Sequence, residues 1–226
     1  MKNLLLIGLH RRLPVPSDRP LLISCSTVLV ACLAFFPVDA KEPAVLCQDS
    51  FDTETLQAGW SWLREHNDFW RLKDQGLDIR VEPGDAGTVK NALLRDAPDR
   101  SLGRYAIEVT VRNHTVPIQQ YEQAGITWYK DGRPVFKFVK ELVNGQLMMI
   151  PGRKPMESES VRLKLIVDAT SWTALYQPDS QGPFLEAANG KLPPPGNDQV
   201  SIQCCHGPPN AEHWIRFDDF RMSKLP

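Results

Sequence analysis

The most constraining feature of this sequence is a succession of short runs in which apolar and polar residues alternate. The run RYAIEVTVRN, residues 104–113, alternates along its length, and so does VRLKLIVD, residues 161–168. A period of two places successive side chains on opposite faces of a strand, whereas a helix needs a period near 3.6. From Ala44 onward about eleven such segments follow one another at the close spacing typical of a β-sandwich. The sequence therefore predicts one all-β domain.

Composition narrows the function classes. Nineteen prolines and fourteen glycines in 226 residues supply the turns that many strands require, and no long segment has helical periodicity. With 26 basic against 27 acidic side chains, the formal net charge is -1. Such a chain has no strongly positive field to attract a polyanion, so we expect no nucleic-acid partner. The 42% hydrophobic content is sufficient for a packed core, which argues against disorder.

The first forty residues differ from the rest of the chain. Three arginines precede an apolar run of sixteen residues, Leu21 to Phe36. Val38-Asp39-Ala40 then offers small residues at the two positions that a signal peptidase reads. We predict an export signal, residues 1–40, cleaved after Ala40, and a sandwich domain, residues 41–226, that is secreted or periplasmic.

Two other interpretations of this leader stay open. A retained membrane anchor is disfavoured because the apolar run falls short of the ~20 residues that a spanning helix needs. Leu29-Val30-Ala31-Cys32 also resembles a bacterial lipobox, which would leave a lipidated Cys32 at the mature N-terminus. The apolar Leu33 to Phe36 argues against lipidation, since the chain after a lipid anchor is usually polar. Membrane contact is therefore expected only through an uncleaved or lipidated leader.

Removal of the leader leaves three cysteines, Cys47, Cys204 and Cys205, in a compartment where thiols can oxidise. Cys47 could pair with either of the others if the first strand lies near the late one, and Cys204 could equally be a buried thiol. No Cys/His spacing resembles a zinc site, since His206 stands alone beside the cysteine pair.

The carboxylates of Asp52, Asp218 and Asp219 come from the first and last strands and could bind a structural calcium ion. Calcium takes six or more oxygen ligands, and three carboxylates do not establish such a site. We predict neither a metal nor a cofactor.

The segment Tyr121 to Glu141 is predicted to form two strands joined by a tight turn. On the first strand Ala124, Ile126 and Trp128 share the parity expected for the core. The opposite face then carries the side chains of Tyr121, Gln123, Thr127, Tyr129, Lys137 and Glu141. Sugar recognition uses aromatic rings that stack on pyranose faces and planar polar groups that bind several hydroxyls. This polar face is therefore predicted to be a shallow saccharide cleft.

Three parts of the chain resemble the concanavalin A-like lectin/glucanase superfamily: FDTETLQAGWSWLREHNDFWRLKDQGLDIRV, QAGITWY followed by KFVKE, and VSIQCCHGPPNAEHWIRFDDFRM. More narrowly, they resemble the secreted bacterial domains related to the C-terminal module of β-xylosidases, over roughly Cys47 to Met222. The most specific parts are Gly59-Trp60-Ser61-Trp62 with Trp70, and Gln123-Ala124-Gly125 leading into Trp128-Tyr129. The resemblance implies a jelly-roll of two curved antiparallel sheets, with a concave face that in many members binds or cleaves polysaccharide.

The catalytic motifs of such enzymes are absent. Retaining glycosidases need two carboxylates about 5 Å apart, which sandwich glucanases place on one strand as Glu-x-Asp-x-x-Glu, and no such strand occurs. The Gln-x-His and Tyr-x-Lys-x-Gly-x-Tyr elements of jelly-roll alginate lyases are absent too. The enzymatic alternative is a glycoside hydrolase that combines Glu141 with Glu65 or Glu122. A structural envelope protein that binds no sugar is the third hypothesis.

We predict a monomeric, non-catalytic carbohydrate-binding module whose partner is a polysaccharide or glycan. No residue is assigned a catalytic role. Residues from the first hairpin and the last strand are expected to lie near the central polar face. The residues expected to bind carbohydrate are Arg64, Glu65, Tyr121, Gln123, Tyr129, Lys137, Glu141 and His213.

Overall fold

The computed structural model describes residues 42–226. The predicted export signal, its cleavage site and the proposed lipobox cysteine lie outside these residues and remain predictions. No helix in the described part of the chain has the length and apolar character needed to cross a membrane.

The described residues form fifteen strands and two short 3-10 turns, with no α-helix among them. The turns span Asn67–Phe69 and Arg100–Leu102. The strands are β1 Ala44–Asp49, β2 Ser61–Leu63, β3 Trp70–Leu72, β4 Leu77–Arg80, β5 Ala92–Asp96, β6 Tyr105–Asn113, β7 Gln123–Lys130, β8 Arg133–Val143, β9 Gln146–Ile150, β10 Lys154–Pro155, β11 Ser160–Val167, β12 Ser171–Pro178, β13 Leu185–Lys191, β14 Asp198–Cys205 and β15 Trp214–Lys224.

The strands build two antiparallel sheets. One has the order β13-β12-β11-β6-β15-β4-β3, and β1 adds an eighth strand by pairing with β15. The other has seven strands in the order β10-β9-β8-β7-β14-β5-β2. Neighbours in each sheet are often distant in sequence, as β14 is from β7 and β5, because the chain crosses repeatedly between sheets. The predicted all-β sandwich of two antiparallel sheets is confirmed.

The core lies between the sheets and is set by the alternation along each strand. In β11 the side chains of Val161, Leu163, Leu165 and Val167 are fully buried, while the intervening residues are partly exposed. Burial of each such side chain contributes about 1.5–3 kcal/mol relative to exposure. Trp128 belongs to this core, as its parity predicted, and Trp172 belongs to it as well. The tryptophans of the first hairpin are partly buried and pack against this core: Trp60, Trp62 and Trp70.

Three of these strands were not predicted from the sequence, whereas a bulge in β15 was. Strands β2 and β10 contain three and two residues, too few to display a period, and β13 reads LEAANGK, which lacks β-branched residues. In the sequence Ile215 and Phe217 share one parity while Phe220 and Met222 share the other, which predicts a bulge at Asp218 or Asp219 if all four are buried. The register of β15 does shift between Asp218 and Arg221. Asp219 has φ = 50°, the left-handed conformation of a bulge residue.

Candidate functional site

The polar face predicted for the central hairpin exists, and strand register explains why its members meet. Gln123 on β7 lies opposite Glu141 on β8, and Thr127 lies opposite Lys137. On the other side of β7, Cys205 of β14 lies opposite Gln123. Because directly opposed residues in an antiparallel pair point to the same face, these side chains form one surface on the seven-stranded sheet, away from the core.

A lysine connects an amide and a carboxylate on this surface. The Lys137 Nζ donates to Gln123 Oε1 at 2.8 Å and to Glu141 Oε2 at 2.8 Å. Gln123 Nε2 in turn donates to the backbone oxygen of Tyr121 at 2.9 Å. Gln123 and Glu141 are buried, whereas the Lys137 side chain is 36% exposed. We call Tyr121, Gln123, Lys137 and Glu141 the hairpin site.

Two open depressions flank the hairpin site. The first has a volume of about 300 Å³ and contains Tyr121, Glu141 and Arg153 in its wall. The second, of about 290 Å³, lies between Lys137, Thr127 and Ala86. The Tyr121 side chain is 49% exposed, so one aromatic ring stands beside the carboxylate at the surface. The arrangement offers an aromatic ring, a carboxylate and two cations to a ligand lying across the hairpin.

Residues 82–91, which we call the cover segment, close the other half of the polar face. Val89 of this segment packs with Leu94, Tyr129 and Cys205 in a small second core. Asp85 shapes the turn of the segment by accepting hydrogen bonds from the backbone N–H groups of Gly87 at 2.9 Å and Thr88 at 3.0 Å. The saccharide cleft predicted from the sequence is therefore open only on the β8 side.

Tyr129 lies beneath the cover segment rather than on an open face. Its side chain is 1% exposed, and its hydroxyl lies 3.0 Å from the Ala86 backbone oxygen and 2.9 Å from Gln203 Oε1. Burial raises the pKa of Tyr129, with Arg64 acting in the opposite direction. Burial likewise raises the pKa of Cys205 to about 12. Tyr129 offers no surface on which a sugar ring could stack, because the cover segment occupies that surface.

Three further predicted residues lie outside the hairpin site. Arg64 Nε donates to the Val89 backbone oxygen at 2.6 Å, so this arginine supports the cover segment. Glu65 is exposed and accepts a hydrogen bond from the Trp70 indole at 3.2 Å. His213 is buried, and its imidazole contacts a carboxylate other than Glu141.

That carboxylate is Glu122. His213 Nδ1 lies 2.7 Å from Glu122 Oε1, while Oε2 accepts hydrogen bonds from the backbone N–H groups of Ile118 at 3.1 Å and Gln119 at 3.3 Å. Glu122 is 1% exposed and Glu65 is held against Trp70, so neither carboxylate shares the depression that Glu141 lines. The carboxylate pairs considered for a hydrolase are therefore not assembled.

Sequence reasoning missed several polar residues of this sheet. Ser201 and Gln203 are buried under the cover segment, and the alternation in QVSIQCC could have assigned them to this face. Lys140 could not have been found in this way, because it has core parity. Its Nζ donates to the backbone oxygens of Ser158 and Glu159, and burial lowers its pKa to about 8, against the opposing charges of Asp179 and Glu159.

The three described cysteines are free thiols. Cys204 points into the core and lies 3.7 Å from the Ile79 backbone oxygen, whereas Cys47 lies on β1 in the other sheet. Among residues 42–226 no three His, Cys, Asp or Glu side chains converge as a metal site requires. Asp218 nevertheless has a raised pKa, because it is partly buried and because the charges of Asp219 and Asp52 lie nearby.

Comparison with known proteins identifies the fold. No family model and no curated protein matches the chain. The Bacteroides ovatus xyloglucan PUL GH43B protein matches with a TM-score of 0.63 and 17% identity, over 82% of this chain and 40% of its own. The GH43 BlXynB protein from Bacillus licheniformis matches with a TM-score of 0.62 and 20% identity, over 79% and 39%. This chain thus spans about two fifths of their length.

A third solved structure is matched over its entire length. It comes from work on endo-acting O-glycanases of the human gut microbiota that initiate mucin breakdown, and it matches with a TM-score of 0.53 and 13% identity. The match covers 81% of this chain and 100% of that one. At these identities the likeness establishes a shared β-sandwich fold, found in glycoside hydrolase-related proteins.

Proposed function

We propose that this protein binds a polysaccharide or glycan at the hairpin site without cleaving it. The observation that carries the proposal is the chain of contacts from Tyr121 through Gln123 and Lys137 to Glu141, which opens at the surface between two depressions. Saccharide sites combine a stacking ring with planar polar groups whose positions are set in advance. Tyr121 supplies the ring, and Glu141 and Lys137 supply the acceptor and donor.

The number of carboxylates at the hairpin site favours binding without hydrolysis. Glycosidases use two, about 5–5.5 Å apart when retaining and about 6.5–9.5 Å apart when inverting. Glu141 is the only carboxylate among the described residues that line its depression, and its Oε2 accepts a hydrogen bond from Lys137 Nζ at 2.8 Å. A single carboxylate accepts hydrogen bonds from sugar hydroxyls, but it lacks the second carboxylate that either hydrolytic mechanism requires.

The setting of this function is part of the proposal. We propose a monomeric module related to the C-terminal module of β-xylosidases, exported by its leader to the periplasm or the cell exterior. The solved structures that share the fold include proteins named for xyloglucan utilisation and for xylan β-1,4-xylosidase activity, which motivates xylan-type polymers as first ligands.

The test is a binding and turnover experiment on the purified full-length protein. Insoluble xylan, xyloglucan and mucin glycans are used in pull-downs, and each mixture is then assayed for reducing-sugar release over a day. Lys137→Met should weaken retention by about ten- to a hundredfold, because a hydrogen bond to a charged group contributes about 1.5–3 kcal/mol. Lys191→Met, at an exposed lysine on β13, is the matched control.

Each outcome has a distinct meaning. Retention that falls with Lys137→Met and survives Lys191→Met, without sugar release, supports the proposal. Sugar release that Glu141→Gln abolishes would instead establish a hydrolase. Absence of both retention and release would leave a structural envelope protein as the better hypothesis.

A further inference from the structure

A second polar cavity lies on the opposite sheet, at the bulge of β15. Strand β15 pairs with β4 through Trp214–Phe217 and with β1 through Phe220–Lys224, so two strands share one of its edges. The bulge at Asp219 falls between these two stretches, and the edge is left open there. A cavity of about 150 Å³ occupies the gap, and we call it the outer-face cavity. Bulges commonly redirect side chains next to binding sites.

Two arginines in the wall of this cavity have donors without partners. The Nε atoms of Arg162 and Arg221 are buried and make no hydrogen bond within the described residues. Glu108 lies directly opposite Arg221 in the ladder, but its carboxylate pairs instead with Arg162 Nη2 at 3.1 Å and Lys164 Nζ at 3.3 Å. Arg221 therefore has no ion-pair partner among residues 42–226.

Unpaired buried donors of this kind are uncommon because each loses its hydrogen bonds to water without gaining a partner in the protein. A third one lies beside them. The Thr110 hydroxyl is buried without a partner, and Thr110 stands between Arg162 on β11 and Asp218 on β15 in the register. The three groups are all able to donate, and they come from three adjacent strands. The two arginines line the cavity, so their unpaired donors call for a ligand with hydrogen-bond acceptors.

The remaining wall argues against a simple anion. The same cavity is also lined by Gln48, Asp49, Ser50 and Asp219, and the Asp49 carboxylate accepts a hydrogen bond from the Trp60 indole at 2.9 Å. A sulfate or phosphate would satisfy the arginines but would be placed against the Asp219 carboxylate. A hydroxyl group both accepts and donates, so neighbouring hydroxyls can face an arginine and a carboxylate at once.

We propose that the outer-face cavity binds neighbouring hydroxyl groups of one sugar unit, as a second saccharide subsite on the sheet opposite the hairpin site. Arg162 and Arg221 donate to the hydroxyl oxygens, and Asp219 accepts from a hydroxyl proton. A site needs only ~10–15 Å³ of cavity volume to hold one water molecule, so the cavity has room for more than one hydroxyl group. The proposal rests on the donors of this cavity alone, so it holds whether or not the hairpin site binds a glycan.

The test observes the arginine Nε–H groups directly by ¹⁵N NMR of the full-length protein. Arg162→Lys and Arg221→Lys assign the two signals by their loss. Xylotriose, cellotriose, N-acetyllactosamine and sodium sulfate are then titrated separately. We expect at least one of the sugars to shift both signals saturably, and sulfate to leave them in place. A response to sulfate alone would make the cavity an anion site, and no response to any probe would mean that the donors bind water only; either result overturns the proposal.

Variants separate the two sites. Arg221→Met should reduce sugar affinity at the outer-face cavity by about tenfold or more, the loss expected for a hydrogen bond from a charged group. Its urea midpoint should stay near that of the wild type, since it removes a buried donor that lacks a partner. Asp219→Asn, at an exposed position, is a second variant that keeps the shape of the site. In Lys137→Met the arginine signals should still shift, so failure at the hairpin site can be told apart from failure here.

Discussion

Replacement of Arg100 by methionine should destabilise the fold more than any single change at the surface. The Arg100 side chain is fully buried, and its guanidinium lies 2.9 Å from Asp198 Oδ2. It also donates to the backbone oxygens of Asp168 at 2.8 Å, Ala169 at 3.1 Å and Pro193 at 2.9 Å. One side chain thus joins the turn that follows β5, the β11–β12 turn and the segment that leads into β14.

The magnitude follows from what methionine would leave behind. Asp198 would be a buried carboxylate without a counter-charge, and its Oδ1 already has no partner among the described residues. Removing one member of a buried ion pair costs about 3–5 kcal/mol. Domains of this size have about 5–15 kcal/mol of stability in total, so the variant should lose a large part of it.

The assay is urea unfolding followed by tryptophan fluorescence, to which all six tryptophans contribute. One of them is Trp128, whose ring centre lies 5.3 Å from the Arg100 guanidinium. Arg133→Met, at an exposed arginine at the start of β8, should change stability by less than about 0.5 kcal/mol. The double variant with Asp198→Asn should lose less than the sum of the single losses, because no unpaired charge remains. A loss below about 1 kcal/mol for Arg100→Met, or strict additivity, would refute the reasoning.

Three further predictions concern stability. Because the folded pKa of Lys140 is about 8 and its ordinary value is 10.5, the unfolded chain holds more protons between these values. Stability should therefore rise with pH across that window by up to about 3 kcal/mol. The difference in unfolding free energy between wild type and Lys140→Met should increase across this window. The raised pKa of Cys205 has the opposite effect on stability, but both proteins contain Cys205, so its effect cancels in the difference. A difference that stays constant with pH would contradict the prediction. Gly125→Ala should cost about 1–3 kcal/mol in urea unfolding, since a Cβ would lie 2.4 Å from a backbone oxygen of β8. Gly87→Ala, whose Cβ would lie 3.3 Å from a side-chain oxygen, is its control. Burial opposes ionisation of Asp78, but hydrogen bonds from an arginine and a histidine outweigh burial and lower its pKa below 3.8. The ionised Asp78 carboxylate therefore stabilises the fold above pH 3.8, and this stabilisation is lost as pH falls through the lowered pKa. Between pH 5 and pH 3 the wild type should lose more stability than Asp78→Asn.

Most of the strand order along the chain could be predicted from the sequence. Long alternating runs such as β6 and β11 were found because each residue's face depends only on its parity. The bulge in β15 was found because Ile215 and Phe217 share one parity and Phe220 and Met222 the other, and all four are buried. Strands β2 and β10 were missed because their three and two residues are too few to show any period.

The candidate site was predicted only in part. Gln123, Lys137 and Glu141 were assigned to one polar face, and cross-strand pairing within a single hairpin does bring them together. Arg64 and His213 were expected beside them. Their positions depend on contacts made far along the chain, and these place Arg64 against the Val89 backbone of the cover segment and His213 against Glu122.

By itself the sequence determined the class of the fold and the face on which nearly every strand residue lies, because alternation is a local property with a period of two. Only the tertiary structure decided which polar residues are open to a ligand. Tyr129 has the parity of an exposed residue, yet the cover segment and Gln203, which is 74 residues away, enclose its hydroxyl. Lys140 has core parity, yet its ammonium group is accommodated in the interior because it donates hydrogen bonds to carbonyl oxygens of another segment. Contacts of this kind depend on strand order and register, which no local pattern encodes.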